Sequence, residues 1–207
     1  MMFAQLAAQI NNLPVKPPLT LALMGLQVLI HYSPMSLGVV VDLQRQCLNP
    51  AAMVLKRQWF RGLASPFLHG DDWHLYYNMA SLLWKGVQIE PHMGPLSFGI
   101  MVAFLTVVSQ ALYIAVGWLA LTGAGYGGIW SSCAVGFSGV LFGLKAILNA
   151  HSPTETVVWG WRLPTKYAAW AELLLIQLVT PHASFTGHLC GILAGLLYLV
   201  VEPTLRQ

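Results

Sequence analysis

Apolar residues fall in long blocks separated by short polar or Gly/Pro-rich stretches, and the blocks set the expected elements. Residues 19–33, 73–89, 96–121, 133–150, 167–180 and 184–201 each read as one apolar helix. Pro34 stops the first, and Asp71 and Asp72 suit the N-terminal cap of the second. Gly123 to Gly128 break the chain after the third, and Ser131 or Ser132 suits the cap of the fourth. Pro181 ends the fifth, and Glu202-Pro203 follow the sixth. The pattern predicts an all-α fold of six antiparallel helices in one domain over 19–202, with a long first loop at 34–72 and no internal repeat.

Composition turns this bundle into a membrane protein. The chain is 57% hydrophobic and 8% charged, with a mean hydropathy of +0.64, whereas soluble domains carry about 25% charged residues. Apolar runs of about 20 residues cross a bilayer as helices, because lipid offers backbone groups no partner. The first block is short for a span, about 22 Å at 1.5 Å per residue. Residues 1–18, mildly amphipathic up to Pro17-Pro18 and without a signal-peptide pattern, are expected to lie on the membrane surface, and 203–207 to form a short tail. The first loop, with Trp59-Phe60-Arg61, suits the headgroup zone and should hold short interfacial helices, whereas 151–166 reads as a polar loop. The distribution of Lys16, Lys85, Arg162, Lys166 and Arg206 against Arg45, Lys56, Arg57 and Arg61 places both termini in the cytosol. A net charge of +3 with no basic stripe argues against nucleic acid. Three cysteines, an odd number at wide spacing, indicate no disulfide framework, and Cys133 and Cys190 are expected to pack as small apolar side chains.

Candidate chemistry centres on Ser138, set between Gly136 and Gly139 in a stretch without charge. Taken alone, a serine among glycines is ordinary packing material of a membrane helix. A histidine stands in a second glycine-spaced helix, Gly187-His188-Leu189-Cys190-Gly191, and His74 and Asn78 stand one turn apart in a third. Antiparallel order puts all four within roughly 10 Å of one membrane face at 1.5 Å per residue. The stripes Gly187, Gly191, Gly195 and Gly139, Gly143 allow close helix approach, which a serine needs to reach its base. Ser138 would then be a nucleophile and His188 its general base and acid, a dyad, since Asp42, Asp71 and Asp72 all lie in the first loop. His74, Asn78 and the Ser138 N–H are the candidate oxyanion donors, and Phe142 is placed to stack on His188. His69, Asp71, Asp72 and His74 resemble metal ligands, but without HExxH they read as loop and cap residues, so neither metal nor cofactor is expected. Lys145 and Glu172 lie at matching depth and are expected to pair. Glu90 reads as a loop anchor, and His31, His92, His151 and His182 as loop or interfacial residues, with His182 beside a cap over the site.

Gly136-Phe137-Ser138-Gly139, His74-Leu75-Tyr76-Tyr77-Asn78 and His188-Leu189-Cys190-Gly191 together resemble the GxSG, HxxxN and HxxG motifs of the rhomboid intramembrane serine proteases. Asp71 to Tyr76 and Ala134 to Phe142 are most similar to the endoplasmic-reticulum subgroup. The resemblance runs from about Trp59 to Tyr198 and implies a six-helix core, a site opening to the lumen, and cleavage of transmembrane protein substrates entering between the second and fifth helices. The family's Trp-Arg pair appears as Trp59-Phe60-Arg61, and its frequent Tyr after the serine as Phe142. The alternative is a non-catalytic, derlin-like relative that binds transmembrane clients for quality control; such relatives lack the serine or the histidine, and this chain has both.

Overall fold

A computed structural model describes residues 2–38, 40–150, 152, 154–158, 161–181 and 183–202. Helices α1 (Met2–Asn11) and α2 (Pro18–Tyr32) lead into the first loop, which holds α3 (Leu43–Gln46), α4 (Pro50–Leu55) and α5 (Phe60–Ala64). Helix α6 (Asp72–Ala124) follows, then α7 (Ser138–Asn149), a hairpin of β1 (Glu155–Val158) and β2 (Trp161–Pro164), α8 (Ala168–Val179) and α9 (Phe185–Val201).

Helix α6 contains both the second and third expected helices. It breaks at Gly94, whose φ of 79° is open to glycine but not to most residues, and Pro91 and Pro95 flank the break. The two limbs fold back on each other. Trp73 and Tyr113 line one cavity, whereas a straight helix would set them about 60 Å apart. Leu75, Met79 and Leu82 of the first limb, Met101 and Leu105 of the second, Leu144 of α7 and Ala194 of α9 meet in the central core, all fully enclosed.

Helices α7 and α9 cross with their backbones in contact. A Cβ on Gly191 would collide with the Gly139 carbonyl, one on Gly195 with that of Gly143, and one on Gly143 would stand 3.0 Å from the Gly191 carbonyl. Elsewhere the helices are tied by polar groups that an apolar setting makes strong. The Glu90 carboxylate, 1% exposed, accepts from the Leu19 and Thr20 N–H groups at 2.8 Å and the Thr20 hydroxyl at 2.7 Å, capping α2 from another helix. Lys145 on α7 pairs with Glu172 on α8, as expected. Lys85, 3% exposed, donates to Ser81 one turn back.

Four sequence expectations change. Helix α7 starts at Ser138 rather than at 133, because residues before it pair with the first loop: Leu48 and Ala134 exchange N–H···O bonds of 2.8 and 3.0 Å. Ser131 and Ser132 are therefore not helix caps; their carbonyls accept from the Asn49 side chain. Cys133 does not pack as a free side chain but is disulfide-bonded to Cys47, 86 residues away, while Cys190 stays free and buried. Closing a loop of that length stabilises a fold by about 4–5 kcal/mol in the chain-entropy account. The expected polar loop holds an antiparallel hairpin with Val157 opposite Arg162, a local addition to an otherwise all-α bundle; Thr156-Val157-Val158 are strand formers.

The N-terminal segment is held to the bundle by its apolar face. Phe3, Leu6, Ile10 and Leu13 form one apolar stripe that packs on the bundle core, with Leu6 buried and the Phe3 ring against Tyr32 and Tyr76. Tyr32 ends α2 beside the start of α6, where His31 meets Asp72 at 3.0 Å, so α1 begins at the His74 end of the bundle. Helix α9 runs from the His188 end and finishes at the opposite end of the bundle. His151, His182 and 203–207 lie outside the described residues.

Among the described helices, α6 alone has 18 or more residues and is apolar enough to cross a membrane; α2, α7, α8 and α9 have 15, 12, 12 and 17 residues. Replacing Gly191 with alanine is expected to destabilise the protein by ~1–3 kcal/mol through overpacking. Gly123→Ala, at a site with nothing within 4 Å of the added Cβ, should leave stability nearly unchanged. Thermal unfolding in detergent measures both.

Candidate active site

Ser138 occupies the first turn of α7, and the chain before it explains why. Gly136 has a φ of 113°, which turns the arm sharply, and Phe137 is driven into the core at 1% exposure. No side chain caps α7. Its first N–H groups, including that of Ser138, therefore meet the cavity uncapped and at the positive end of the helix.

His188 sits in the first turn of α9, held by a Ser184 cap that accepts from the Gly187 N–H at 3.1 Å. Its Nε2 lies 2.9 Å from the Ser138 Oγ. Gly187 and Gly191 flank it on the face packed against Gly139, so nothing but backbone separates the helices. Phe142, one turn past Ser138, stacks on the imidazole with centroids 4.5 Å apart and planes 27° apart. The His188 Nδ1 is buried and has no hydrogen-bond partner among the described residues, so no carboxylate orients the ring. Stacking does that instead.

Asp71 caps α6 by accepting from the His74 N–H at 2.8 Å. The Gly70 N–H donates to His74 Nδ1 at 3.3 Å, so a neutral ring carries its proton on Nε2. That nitrogen points at the arm leading to Ser138: a Cβ on Gly136 would stand 2.6 Å from it. The Asn78 Nδ2 donates to the His74 carbonyl at 2.8 Å and keeps a second N–H, while its Oδ1 is buried without a partner among the described residues. All four residues line one cavity of about 1070 Å³. The first limb of α6, with exposed Trp73 and Tyr77 stacked at 5.9 Å, forms one side, and Leu175, Ile176 and Val179 of α8 form the other.

Two features escaped the sequence reading. The Cys47–Cys133 link has no signature in an odd count of widely spaced cysteines. His69, weighed only as a metal ligand, instead stands edge-on to His74 with centroids 5.0 Å apart. Asp72 pairs with His31 rather than joining it. His69 is 4% exposed, and burial, followed by the neighbouring His74 and His31, pushes its imidazole down to about 3. The folded protein thus keeps this ring neutral down to about pH 3, whereas an unfolded histidine binds a proton below about 6.5. Between those values the unfolded state holds more protons, so stability falls as pH is lowered. A His69→Phe variant, which keeps a ring edge without a titrating nitrogen, should lose less thermal stability than wild type between pH 7 and pH 4.5, as unfolding scans would record.

Comparison with known proteins matches this architecture to one family. Residues 56–203 match the Rhomboid domain. Rhomboid-like protein 14, mitochondrial, of Arabidopsis thaliana is 41% identical over 197 residues, covering 94% of this chain and 59% of that protein. Rhomboid-related protein 4 of Mus musculus is 39% identical over 190 residues, covering 91% and 58%. Rhomboid-type serine protease 2 of Eremothecium gossypii is 31% identical over 153 residues, covering 74% and 56%. The chain spans a little under three-fifths of the length of these relatives. With the domain match covering most of the sequence, the chain belongs to the rhomboid family of membrane-embedded proteins.

Proposed function

We propose that this protein is an intramembrane serine endopeptidase that cleaves transmembrane segments of membrane proteins. The observation that carries the reading is the 2.9 Å approach of Ser138 Oγ to His188 Nε2 inside a cavity that His74 and Asn78 also line, in a chain that is 57% hydrophobic. In this mechanism His188 Nε2 takes the Ser138 proton as the oxygen attacks a peptide carbonyl, then returns it to the leaving amine. Water repeats the cycle on the acyl-enzyme. The tetrahedral oxyanion forms beside the Ser138 N–H, His74 Nε2–H and the second Asn78 N–H, donors fixed before the reaction begins. The Eremothecium relative is named a serine protease, which supports the reading without extending to substrate.

The six spans of this proposal are α2, the two limbs of α6, α7, α8 and α9. Helices α7 and α8, with 12 residues each, are about 18 Å long and suit a locally thinned bilayer. A substrate helix enters between the first limb of α6 and α8, where the cavity has a wall on each side. The mouth faces the lumen of the endoplasmic reticulum and the end of α9 faces the cytosol. No cofactor or metal takes part.

Ser138→Ala and His188→Ala are expected to abolish both labelling by a fluorophosphonate probe and cleavage of a reconstituted transmembrane substrate. His74→Ala and Asn78→Ala should each lower kcat by ~10²–10³ with a smaller effect on KM. Labelling that survives Ser138→Ala would end the protease reading and favour a client-binding relative.

A further inference from the structure

The backbone arm that delivers Ser138 is anchored almost wholly by the first loop. Ala134 exchanges two hydrogen bonds with Leu48, and the Gly136 N–H donates to the Ser65 carbonyl at 2.9 Å. Asn49 Nδ2 donates to the carbonyls of Ser131 and Ser132 at 3.1 and 2.9 Å. Between these bonds the Cys47–Cys133 disulfide joins loop and arm covalently, five positions before the nucleophile. Arg61, 8% exposed, holds the loop side: its Nη1 donates to the Gln44 and Cys47 carbonyls at 3.0 Å each, and its Nε to Gln58 at 2.8 Å. Cys47 is 1% exposed, but Cys133 is open at the surface.

We infer that Cys47 and Cys133 are a positioning pair for the proposed reaction, and that the activity requires their disulfide and so an oxidising compartment at the cavity mouth. The inference rests on the proposed protease reading. Disulfides persist only where the surrounding thiol pool does not reduce them. A dithiol reductant reaches the exposed Cys133 sulfur and forms a mixed disulfide, and the Cys47 thiolate leaves and takes a proton. The second thiol of the reductant then closes its own disulfide and releases Cys133 as a thiol. The protein gains two electrons and two protons, and the reductant loses them. The hydrogen bonds around Ala134 and Gly136 open more often without the covalent link but re-form, so reduction loosens the arm without unfolding the bundle. A displacement near 1 Å at a reacting group lowers rate on the order of a hundredfold.

The test uses the full chain purified from membranes under non-reducing conditions. A digest should yield the Cys47–Cys133 linked peptide. Dithiothreitol should slow fluorophosphonate labelling of Ser138 about tenfold to a hundredfold. Reoxidation should restore it. The fall should appear in kcat with KM unchanged, and a Cys47→Ser, Cys133→Ser double variant should be slow with or without reductant. Amide hydrogen exchange over residues 134–139 should rise on reduction whether or not the serine reacts. Absence of the linked peptide overturns the inference, as does exchange that reduction leaves unchanged. Labelling that reduction does not slow overturns it too. A linked peptide with reduction-sensitive exchange and no labelling in the oxidised protein would instead overturn the protease reading, and the claim that the pair serves catalysis with it.

Discussion

Helices α7 and α9 touch backbone to backbone at Gly139 and Gly191, and the geometry of the site is set from that point of contact. Ser138 is one residue before the first glycine and His188 three before the second, so both side chains stand one short step from the crossing. Separating the axes by even the width of a methyl group would carry the serine oxygen beyond the 2.7–3.2 Å range in which it can share a proton with the imidazole. A hydroxyl and a ring 50 residues apart therefore depend on the absence of Cβ atoms. In lipid, where no hydrophobic force drives helices together, close packing of small residues is also what holds such a crossing.

Around this fixed pair the protein arranges donors rather than charges. No carboxylate backs His188 among the described residues; an aromatic ring does. In the proposed reaction the oxyanion would meet a helix N-terminus left uncapped, an imidazole whose proton is placed by the Gly70 N–H, and an amide with a spare hydrogen. Neutral donors suit a cavity in an apolar body, because a permanent charge there would need compensation even when nothing is reacting.

Much of this was readable from residue order. Apolar blocks and their Pro, Gly and Asp punctuation gave the helices, because such blocks have few alternatives in a bilayer. The glycine stripes gave the α7–α9 crossing, and matching depth gave the Lys145–Glu172 pair. Other features depend on long-range pairing that local pattern does not encode. Residues 133–137 are apolar enough to continue α7, but the Leu48 and Ser65 backbones take the hydrogen bonds of Ala134 and Gly136. This moves Ser138 from the interior of a helix to its first turn. Cys133 and Cys47 follow from the same pairing, since only the bridged loop brings their sulfurs together. The stripe on α1 was visible, but an apolar face fits a neighbouring helix as well as a membrane surface, and periodicity does not choose between them.

Glu90 has a consequence for how the bundle flexes. Its carboxylate is compensated by peptide dipoles and a hydroxyl rather than by a cation, in a place electrolyte does not penetrate. Ionic strength therefore has little hold on the joint between α2 and the bend in α6, and these two elements form a stiff frame. Among the described residues helix α8 has no such weld. Its polar tie to the bundle there is a single ion pair to α7, and the compliance of the cavity is concentrated on that one side.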